Sequence, residues 1–307
     1  MLSRTRKFLE SRGFLEVETP LLSADVVVDR HLDPLMVTLP DDPRQPGVGR
    51  PMWLQTSPEF GMKRLLAAGA EAIYQITRSF RAGEIGRLHN PEFTIVEWYR
   101  RGDSMAAAMQ LLSDLAESLL ERGPADLMSY GDAFAQFVGV DPHRGSITEL
   151  RTAAENRRLA IPASLEADDR DGWLNLLLAE LVEQNLGQQR PCILFDYPAS
   201  QAALARARDE SPPVAERFEL YVGGIELANG YHELLDPGVL RARNAAANTL
   251  RQRDGKPPLP EESRLLAAMD AGLPDCSGVA LGFDRLVMLA AGATSLAEVM
   301  AFPIDRA

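Results

Sequence analysis

Residues 80–99 read FRAGEIGRLHNPEFTIVEWY, and this stretch decides the fold. It places two arginines, one histidine and three glutamates around a predicted strand, loop and second strand. Side chains alternate between the faces of a strand, so one face of the second strand carries Thr94, Val96 and Trp98. The other face carries an acid and a phenol, on residues Phe93, Ile95, Glu97 and Tyr99. A purely structural strand needs neither polar group, and the loop has the charges to hold a triphosphate.

Two further segments extend the pattern across the chain. Residues 13–20 read GFLEVETP, a helix running into a strand that ends at a proline, and residues 278–285 read GVALGFDR, a strand running into a helix through an arginine. One face of the latter strand holds only Gly278, Ala280 and Gly282, which suits close approach of a purine, although a glycine-tolerant core strand is the alternative. Residues 13–20, 80–99 and 278–285 resemble motifs 1, 2 and 3, respectively, of class II aminoacyl-tRNA synthetases. The run from His89 to Phe93 resembles the lysyl-tRNA synthetase form.

The resemblance implies an α+β fold, with a mainly antiparallel sheet flanked by helices, and a homodimer formed through motif 1. We expect one catalytic domain over residues 1–307, with a helical insertion at roughly 122–190. Only 19 residues precede Pro20 and 22 follow Arg285. A domain needs at least about 50 residues, so neither end is expected to hold the anticodon-binding barrel of the lysyl, aspartyl and asparaginyl enzymes. No tRNA partner is therefore expected.

Local signals predict the surrounding elements. Ser57 and Pro58 are typical of a helix start, with serine as the cap and proline in the first turn. The pattern predicts helices at 2–12, about 57–68 and 105–119, a hairpin or loop at 33–51, and strands at 72–81 and 92–99.

Composition excludes several classes of protein. The chain of 307 residues is 46% hydrophobic and 25% charged, as in soluble globular proteins. Its net charge of −12 argues against broad binding to nucleic acid. The charged first 13 residues do not resemble a signal peptide, and no stretch reaches transmembrane length, so a cytoplasmic location without a membrane partner is expected. Cys192 and Cys276 lack metal-ligand spacing and are expected to be buried thiols.

A second candidate region lies at residues 215–234. Gly223 and Gly224 form a good hairpin turn, which would pair Val222 with Ile225 and set Tyr221 opposite Glu226. Glu219 then lies diagonally from Glu226, at about 7–8 Å between alpha carbons. Two such carboxylates favour a cation between them, and Mg²⁺ accompanying ATP is the natural candidate. A solvated face of the sheet is the alternative.

By the resemblance, Asn229, Tyr231 and Glu233 contact the substrate. Strict alternation, however, puts them on the face opposite Glu226. A bulge near 228–230, with Gly230 in it, would turn them to the same face.

The resemblance also implies a reaction, in which a carboxylate attacks the α-phosphorus of ATP to give an acyl-adenylate and pyrophosphate. Arg81 would hold the α-phosphate and the substrate carboxylate, and Arg285 would stack on adenine opposite Phe93 and reach the phosphates. These two arginines are the implied catalytic residues, and Glu219 and Glu226 would hold Mg²⁺. The implied ATP site comprises Arg81, Ala82, Gly83, Glu84, His89, Asn90, Phe93, Glu226, Leu227, Gly282 and Arg285.

The predicted acyl substrate follows from charge. Three acids in the implied substrate site call for a ligand with two amino groups, and lysine or an isomer fits. Glu59 has an alternative role as an acid in the first turn of a helix. Aspartate or asparagine would need cationic side chains instead. The implied substrate-binding residues are Ser57, Glu59, Glu97, Tyr99, Asn229, Tyr231, Glu233 and Ala280.

Two positions depart from the lysyl pattern. Gly83 stands where motif 2 usually has glutamate; either Glu84 replaces this glutamate through a shifted loop, or the protein makes one interaction fewer with adenine. Ala280 stands where motif 3 usually has glycine, and its methyl group narrows the amino-acid site. The combination resembles a family of ligases that move (R)-β-lysine from its adenylate to the ε-amine of a lysine on elongation factor P. That factor and β-lysine are the implied partners.

Two alternatives remain at this point. The chain could be a lysyl-tRNA synthetase fragment that acts on tRNA, which the missing anticodon domain disfavours. It could also be a catalytically dead paralogue that works as a regulatory binding module. The retention of four reactive side chains speaks against the second alternative: Arg81, Glu219, Glu226 and Arg285.

Overall fold

The computed structural model describes all 307 residues, from Met1 to Ala307. Short 3₁₀ and π turns connect some of its regular elements. The helices are α1 (Leu2–Glu10), α2 (Glu59–Ala67), α3 (Met105–Leu120), α4 (Tyr130–Phe137), α5 (Ile147–Asn156), α6 (Arg170–Leu177), α7 (Pro237–Arg253), α8 (Arg264–Gly272) and α9 (Phe283–Ala290). No helix is both long and apolar enough to span a membrane.

The strands pair mostly antiparallel, as expected for an α+β protein. They are β1 (Leu15–Glu16), β2 (Leu22–Ser23), β3 (Met36–Pro40), β4 (Gly49–Leu54), β5 (Ala72–Phe80), β6 (Glu92–Arg101), β7 (Asp126–Ser129), β8 (Cys192–Pro198), β9 (Ala207–Arg208), β10 (Val214–Val222), β11 (Ile225–His232) and β12 (Cys276–Gly282).

The chain divides into two compact units. The first comprises residues 1–102 and 235–307, and the second comprises residues 103–234. The expectation of one catalytic domain with an insertion at 122–190 stays a prediction. That segment does contain the predicted helices, α4 to α6, but it also contributes the strand β7.

The first unit is organised by β6, the second strand of motif 2. β6 pairs antiparallel with β5 on one side and with β12 on the other, and β1 joins β5 in parallel. The predicted hairpin at 33–51 is confirmed as β3 and β4, to which β2 adds. Motif 3 therefore lies directly beside motif 2, which brings the two candidate segments of sequence together.

The second unit has its own apolar core beneath β10. The strands run in the order β11, β10, β8 and β7, and β9 pairs with the first two residues of β10. The core contains the large buried side chains Tyr130, Phe134, Trp173, Tyr197 and Tyr221. The aromatic pairs within it are close, since the ring centroids of Tyr130 and Phe134 lie 4.6 Å apart. Residues 122–190 thus supply the hydrophobic support for β8 and β10.

Two local predictions at helix and strand ends are wrong in detail. The motif 1 strand pairs over only Leu15 and Glu16. Pro58, and not Ser57, is the N-cap of α2, with backbone angles already in the helical region. The Ser57 hydroxyl still accepts the backbone N–H of Glu59 at 3.0 Å. The same hydroxyl donates to the Glu97 carboxylate.

The predicted bulge exists, but at a different residue. Tyr221 pairs with Glu226 and Leu220 pairs with Ala228, so Leu227 is the extra residue in β11. Glu219 consequently lies opposite Asn229, a correction to the diagonal placement expected in a regular ladder. Gly230 is not the bulge residue. It pairs with Phe218, and a β-carbon there would lie 2.3 Å from the Phe218 ring, so the glycine makes room for an aromatic side chain.

Candidate active site

Glu97 is the centre of the candidate site in the first unit. Cross-strand pairing sets it between Gln75 on β5 and Ala280 on β12. Its carboxylate is fully buried, and it accepts hydrogen bonds from the Ser57 hydroxyl at 2.5 Å and the Tyr99 hydroxyl at 2.9 Å. Paired residues of adjacent strands point to the same face of the sheet. The Ala280 methyl group therefore lies on the same face of the sheet as Glu97.

Burial makes the Glu97 carboxyl group a weaker acid than usual. Loss of solvent and the nearby charge of Glu59 raise its pKa to about 7, while the hydrogen bonds from Ser57 and Tyr99 act in the opposite direction. A carboxylate with such a pKa changes charge near neutral pH. A bound ammonium group would offset both unfavourable effects, so the site is suited to an amine.

Glu59 does not face the site as an uncompensated acid. It lies at the start of α2 and forms a buried ion pair with Lys63, one helical turn further along. Sequence reasoning missed Lys63. The four-residue spacing of an acid and a lysine in a helix was the signal that could have found it.

Arg81 follows the last residue of β5. Its guanidinium carbon lies 4.9 Å from the centre of the Phe93 ring, and a terminal nitrogen lies 3.7 Å from the carboxylate of Glu84. Its Nε is buried and makes no hydrogen bond within the protein. The geometry leaves Arg81 with donor capacity for an incoming anion. In this structure Arg81 itself covers Phe93, and the predicted adenine stacking between Phe93 and Arg285 stays a prediction.

The turn after Arg81 favours glycine at the position where motif 2 usually has glutamate. Gly83 has a φ of +78°, in the left-handed region that disfavours other residues. Glu84, the next residue, reaches Arg81 instead. The Ala82 backbone N–H is fixed by the carbonyl oxygen of Asp33 at 2.7 Å. The nucleotide contacts predicted for Ala82, Gly83 and Glu84 stay predictions.

Arg285 and His89 are joined at the base of the motif 2 loop. Arg285 donates to the Leu88 carbonyl oxygen at 3.1 Å and lies 2.7 Å from His89 Nε2. Burial, followed by the positive charge of Arg285, lowers the pKa of His89. Arginine can only donate, so the imidazole accepts at Nε2 and carries its proton at Nδ1. The loop and motif 3 are thus connected by side chains that the sequence predicted to meet at the nucleotide.

Asn90 and Asp284 hold the end of the same loop and the start of β6 through hydrogen bonds. The Asn90 amide donates to the Glu92 carbonyl oxygen at 2.6 Å and accepts from the Ile304 N–H at 2.9 Å. The Asp284 carboxylate accepts the Thr94 N–H at 2.7 Å, which ties α9 to β6 next to Gly282. Sequence reasoning missed Asp284. Both ends of the Asn90 amide are occupied within the protein, and its contact with the nucleotide stays a prediction.

The second unit presents a separate set of polar residues on β10 and β11. Glu219 is buried, and its two oxygens accept hydrogen bonds from Arg217 at 2.6 Å, Tyr197 at 2.5 Å and Tyr221 at 2.6 Å. Burial and the charge of Glu219 raise the pKa values of both tyrosines, so both phenols remain donors. Arg217 is the partner that sequence reasoning missed.

The bulge at Leu227 brings the β11 candidates to the side that the resemblance requires. Because Tyr221 pairs with Glu226 and Glu219 pairs with Asn229, these four side chains share one face, and Tyr231 follows on it. The Asn229 amide donates to the Tyr231 hydroxyl at 2.7 Å. Glu233 comes just after β11 and is fully buried. The Leu227 side chain is buried as well, and the roles predicted for these residues stay predictions.

The fit of these acids to Mg²⁺ is partial. The structure contains no group of three or more His, Cys, Asp or Glu residues that could hold a metal ion. An Mg²⁺ ion that arrives with ATP needs only one or two carboxylates. Glu219 would have to exchange an arginine or two phenol donors for the ion, whereas Glu226 is only partly buried at the strand end. The two-glutamate assignment stays a prediction.

Comparison with known proteins shows the family. The family model described as tRNA synthetases class II (D, K and N) matches residues 1–306. Proteins named "Elongation factor P--(R)-beta-lysine ligase" from Salmonella dublin, Klebsiella pneumoniae (strain 342) and Salmonella typhi are each 47% identical over 307 residues. The match covers 100% of this chain and 94% of each relative. The predicted α+β fold and family resemblance are confirmed, and the chain belongs to the class II tRNA synthetase family.

Proposed function

We propose that this protein is an ATP-dependent ligase that attaches (R)-β-lysine to a lysine side chain of elongation factor P. The similarity to relatives with that name, over the entire chain, is the observation that carries the proposal. The buried, amine-suited carboxylate of Glu97 supports it independently, because the substrate has two amino groups. Ala280 opposite Glu97 supports a pocket that differs from one for L-lysine.

The proposed reaction has two steps. A carboxylate oxygen of β-lysine bonds to the α-phosphorus of ATP, and the bond to the β-phosphate oxygen breaks, releasing pyrophosphate. The ε-amine of the acceptor lysine then attacks the carbonyl carbon, loses a proton and releases AMP. The protein contributes position and charge: Arg81 offsets the negative charge that builds up at the α-phosphate, and Glu97 holds an amine. Mg²⁺ would supply further neutralisation of the phosphates, with Glu226 as the better of the two candidate carboxylates.

The acceptor is tested by labelling. Purified protein, ATP and labelled β-lysine are incubated with either elongation factor P or total tRNA. We expect label only on the factor, because the relatives named for modification of that factor align with the whole of this chain. Acid-precipitable label that disappears on ribonuclease treatment would favour the tRNA alternative. Failure to form any adenylate would favour the catalytically dead paralogue.

Ala280→Gly should shift substrate selectivity towards L-lysine. The alanine is the only one of the three small residues on its strand face with a methyl group, and it lies opposite Glu97. One methyl group in a pocket is worth about 1 to 3 kcal/mol of discrimination, so the ratio of kcat/KM for L-lysine over β-lysine should rise roughly 10-fold. Pyrophosphate exchange with both substrates measures this ratio. An unchanged ratio with an altered KM for ATP would assign Ala280 to packing beneath the nucleotide.

The proposed assembly is a homodimer formed through motif 1. Leu15 in this motif is 66% exposed and Leu21 just beyond it is 39% exposed. Leu15 lies on the short strand β1 at the edge of its sheet, and these two exposed leucines would be covered by the second chain of the proposed dimer.

A further inference from the structure

A buried ammonium group lies beside the candidate substrate site. The side chain of Lys63 is 2% exposed, that of Glu59 is 11% exposed, and the two form an ion pair within α2. Water contributes little to stabilising either charge at this depth. Removal of one partner would leave the other as an uncompensated buried charge, which is strongly unfavourable. The charges of the two residues are therefore set together.

Ser57 connects this pair to Glu97. Its hydroxyl accepts the Glu59 backbone N–H at 3.0 Å and donates to the Glu97 carboxylate at 2.5 Å. The charge of Glu59 also acts directly on Glu97 and disfavours its ionised form. Any change in the charge of the Lys63–Glu59 pair must consequently reach Glu97.

A count of charges shows what the pair accomplishes. Glu59 and Glu97 together would place two negative charges in the site, and Lys63 removes one of them. We propose that Lys63 is a positioning residue for the substrate: it neutralises Glu59, so that Glu97 is the carboxylate that takes an amine of the substrate. The substrate part of this inference rests on the proposed function, whereas the electrostatic part does not.

Two further side chains of the first unit act on Glu97. Arg81 is a further charged group that acts on it and favours the ionised form, and Tyr99 donates a hydrogen bond. The paired positions on the adjacent strands, Gln75 and Ala280, carry no charge. Among the charged groups that act on Glu97, Glu59 has the largest effect, so changes at Glu59, and at Lys63 through its ion pair with Glu59, should shift the protonation of Glu97.

The first measurement needs no substrate. The free energy of unfolding is followed from pH 5 to 9 for four backgrounds, each with and without Glu97→Gln: wild type, Lys63→Met, Glu59→Gln and the double variant. The difference within each pair isolates the titration of Glu97. The higher of the two pH values at which this difference bends is the pKa of Glu97 in the folded chain, called the midpoint below. The midpoint should lie about one pH unit or more higher in Lys63→Met than in wild type, and lower in Glu59→Gln. The midpoint of the double variant should lie between those of wild type and Glu59→Gln.

The second measurement uses pyrophosphate exchange. Lys63→Met should raise the KM for β-lysine about fivefold at pH 7, because a midpoint one unit higher leaves a smaller fraction of Glu97 ionised. The increase should disappear at pH 9, and the KM for ATP should not change. Lys63→Arg, which keeps the charge, should retain the wild-type pH dependence. A loss of packing alone would lower activity at every pH.

The outcomes separate the two proposals. Equal midpoints in all backgrounds would overturn the role of Lys63, even if β-lysine is a substrate. The predicted order of midpoints without any β-lysine-dependent exchange would uphold the electrostatic role and overturn the proposed substrate. If Lys63→Met does not fold, the double variant and Glu59→Gln still decide, since their midpoints must both lie below that of wild type.

Discussion

Arg81→Ala should abolish adenylate formation. In the proposed mechanism the Arg81 guanidinium group offsets the charge that grows on the α-phosphate, and its buried Nε has no hydrogen-bond partner within the protein. Removing a donor of this kind costs about 3 kcal/mol or more, so β-lysine-dependent pyrophosphate exchange should fall about 100-fold or further. Arg81→Lys should recover part of the rate, because lysine keeps the charge but loses the two-pronged geometry.

Arg78→Ala is the matched control. Arg78 lies on β5, three residues before Arg81, and forms an exposed ion pair with Glu92 at 3.6 Å. Surface pairs of this kind contribute about 0 to 1 kcal/mol, so both exchange and stability should remain close to wild type. A near wild-type rate of exchange in Arg81→Ala would refute the assignment of the active site. Equal losses in both variants would point to a general effect on β5.

The loop around Arg81 illustrates which features could be predicted from sequence. The alternation of residues 93–99 and the two-glycine hairpin at 223–224 are local signals, and both elements formed with the expected pairing. The support of the loop is not local. Arg251 is buried and donates to Asp33, 218 residues away in sequence, while the Asp33 carbonyl oxygen accepts the Ala82 N–H. No sequence period links these residues, so only the folded chain reveals the connection.

The bulge in β11 shows a different limit. The conflict between alternation and the expected side of Asn229 correctly required an irregularity in the strand. The nearby glycine, Gly230, then indicated the wrong position. A glycine in a strand can mark a bulge, but it can equally leave room for an aromatic ring that packs against the backbone. Phe218 lies 12 residues earlier, and its ring occupies the space that a β-carbon at Gly230 would need. The pairing partner of a glycine must be known before its purpose can be assigned.

Glu97→Gln should remove both the affinity for β-lysine and its dependence on pH. Burial and Glu59 raise the pKa of Glu97 to about 7, so in the free enzyme the carboxyl group is neutral below this pH and ionised above it. Aliphatic amines of the lysine type have pKa values near 10.4 and stay protonated throughout this range. The favourable partner for the ammonium group therefore forms only as pH rises, and kcat/KM for β-lysine should increase about tenfold from pH 6 to pH 8.

In the Glu97→Gln variant this increase should be absent, and kcat/KM should remain about 30-fold or more below the wild-type plateau, a loss of about 2 kcal/mol or more for a buried charged pair. The stability of the two proteins provides a second readout. The pKa of Glu97 is higher in the folded chain than in the unfolded chain, so the contribution of this group to the stability of wild type falls as pH rises from about 4.5 to 7. Relative to wild type, Glu97→Gln should gain stability over this interval, with no further change above it. A pH profile of kcat/KM that is the same in both proteins would exclude Glu97 as the amine-binding carboxylate and leave its burial without a role in the substrate site.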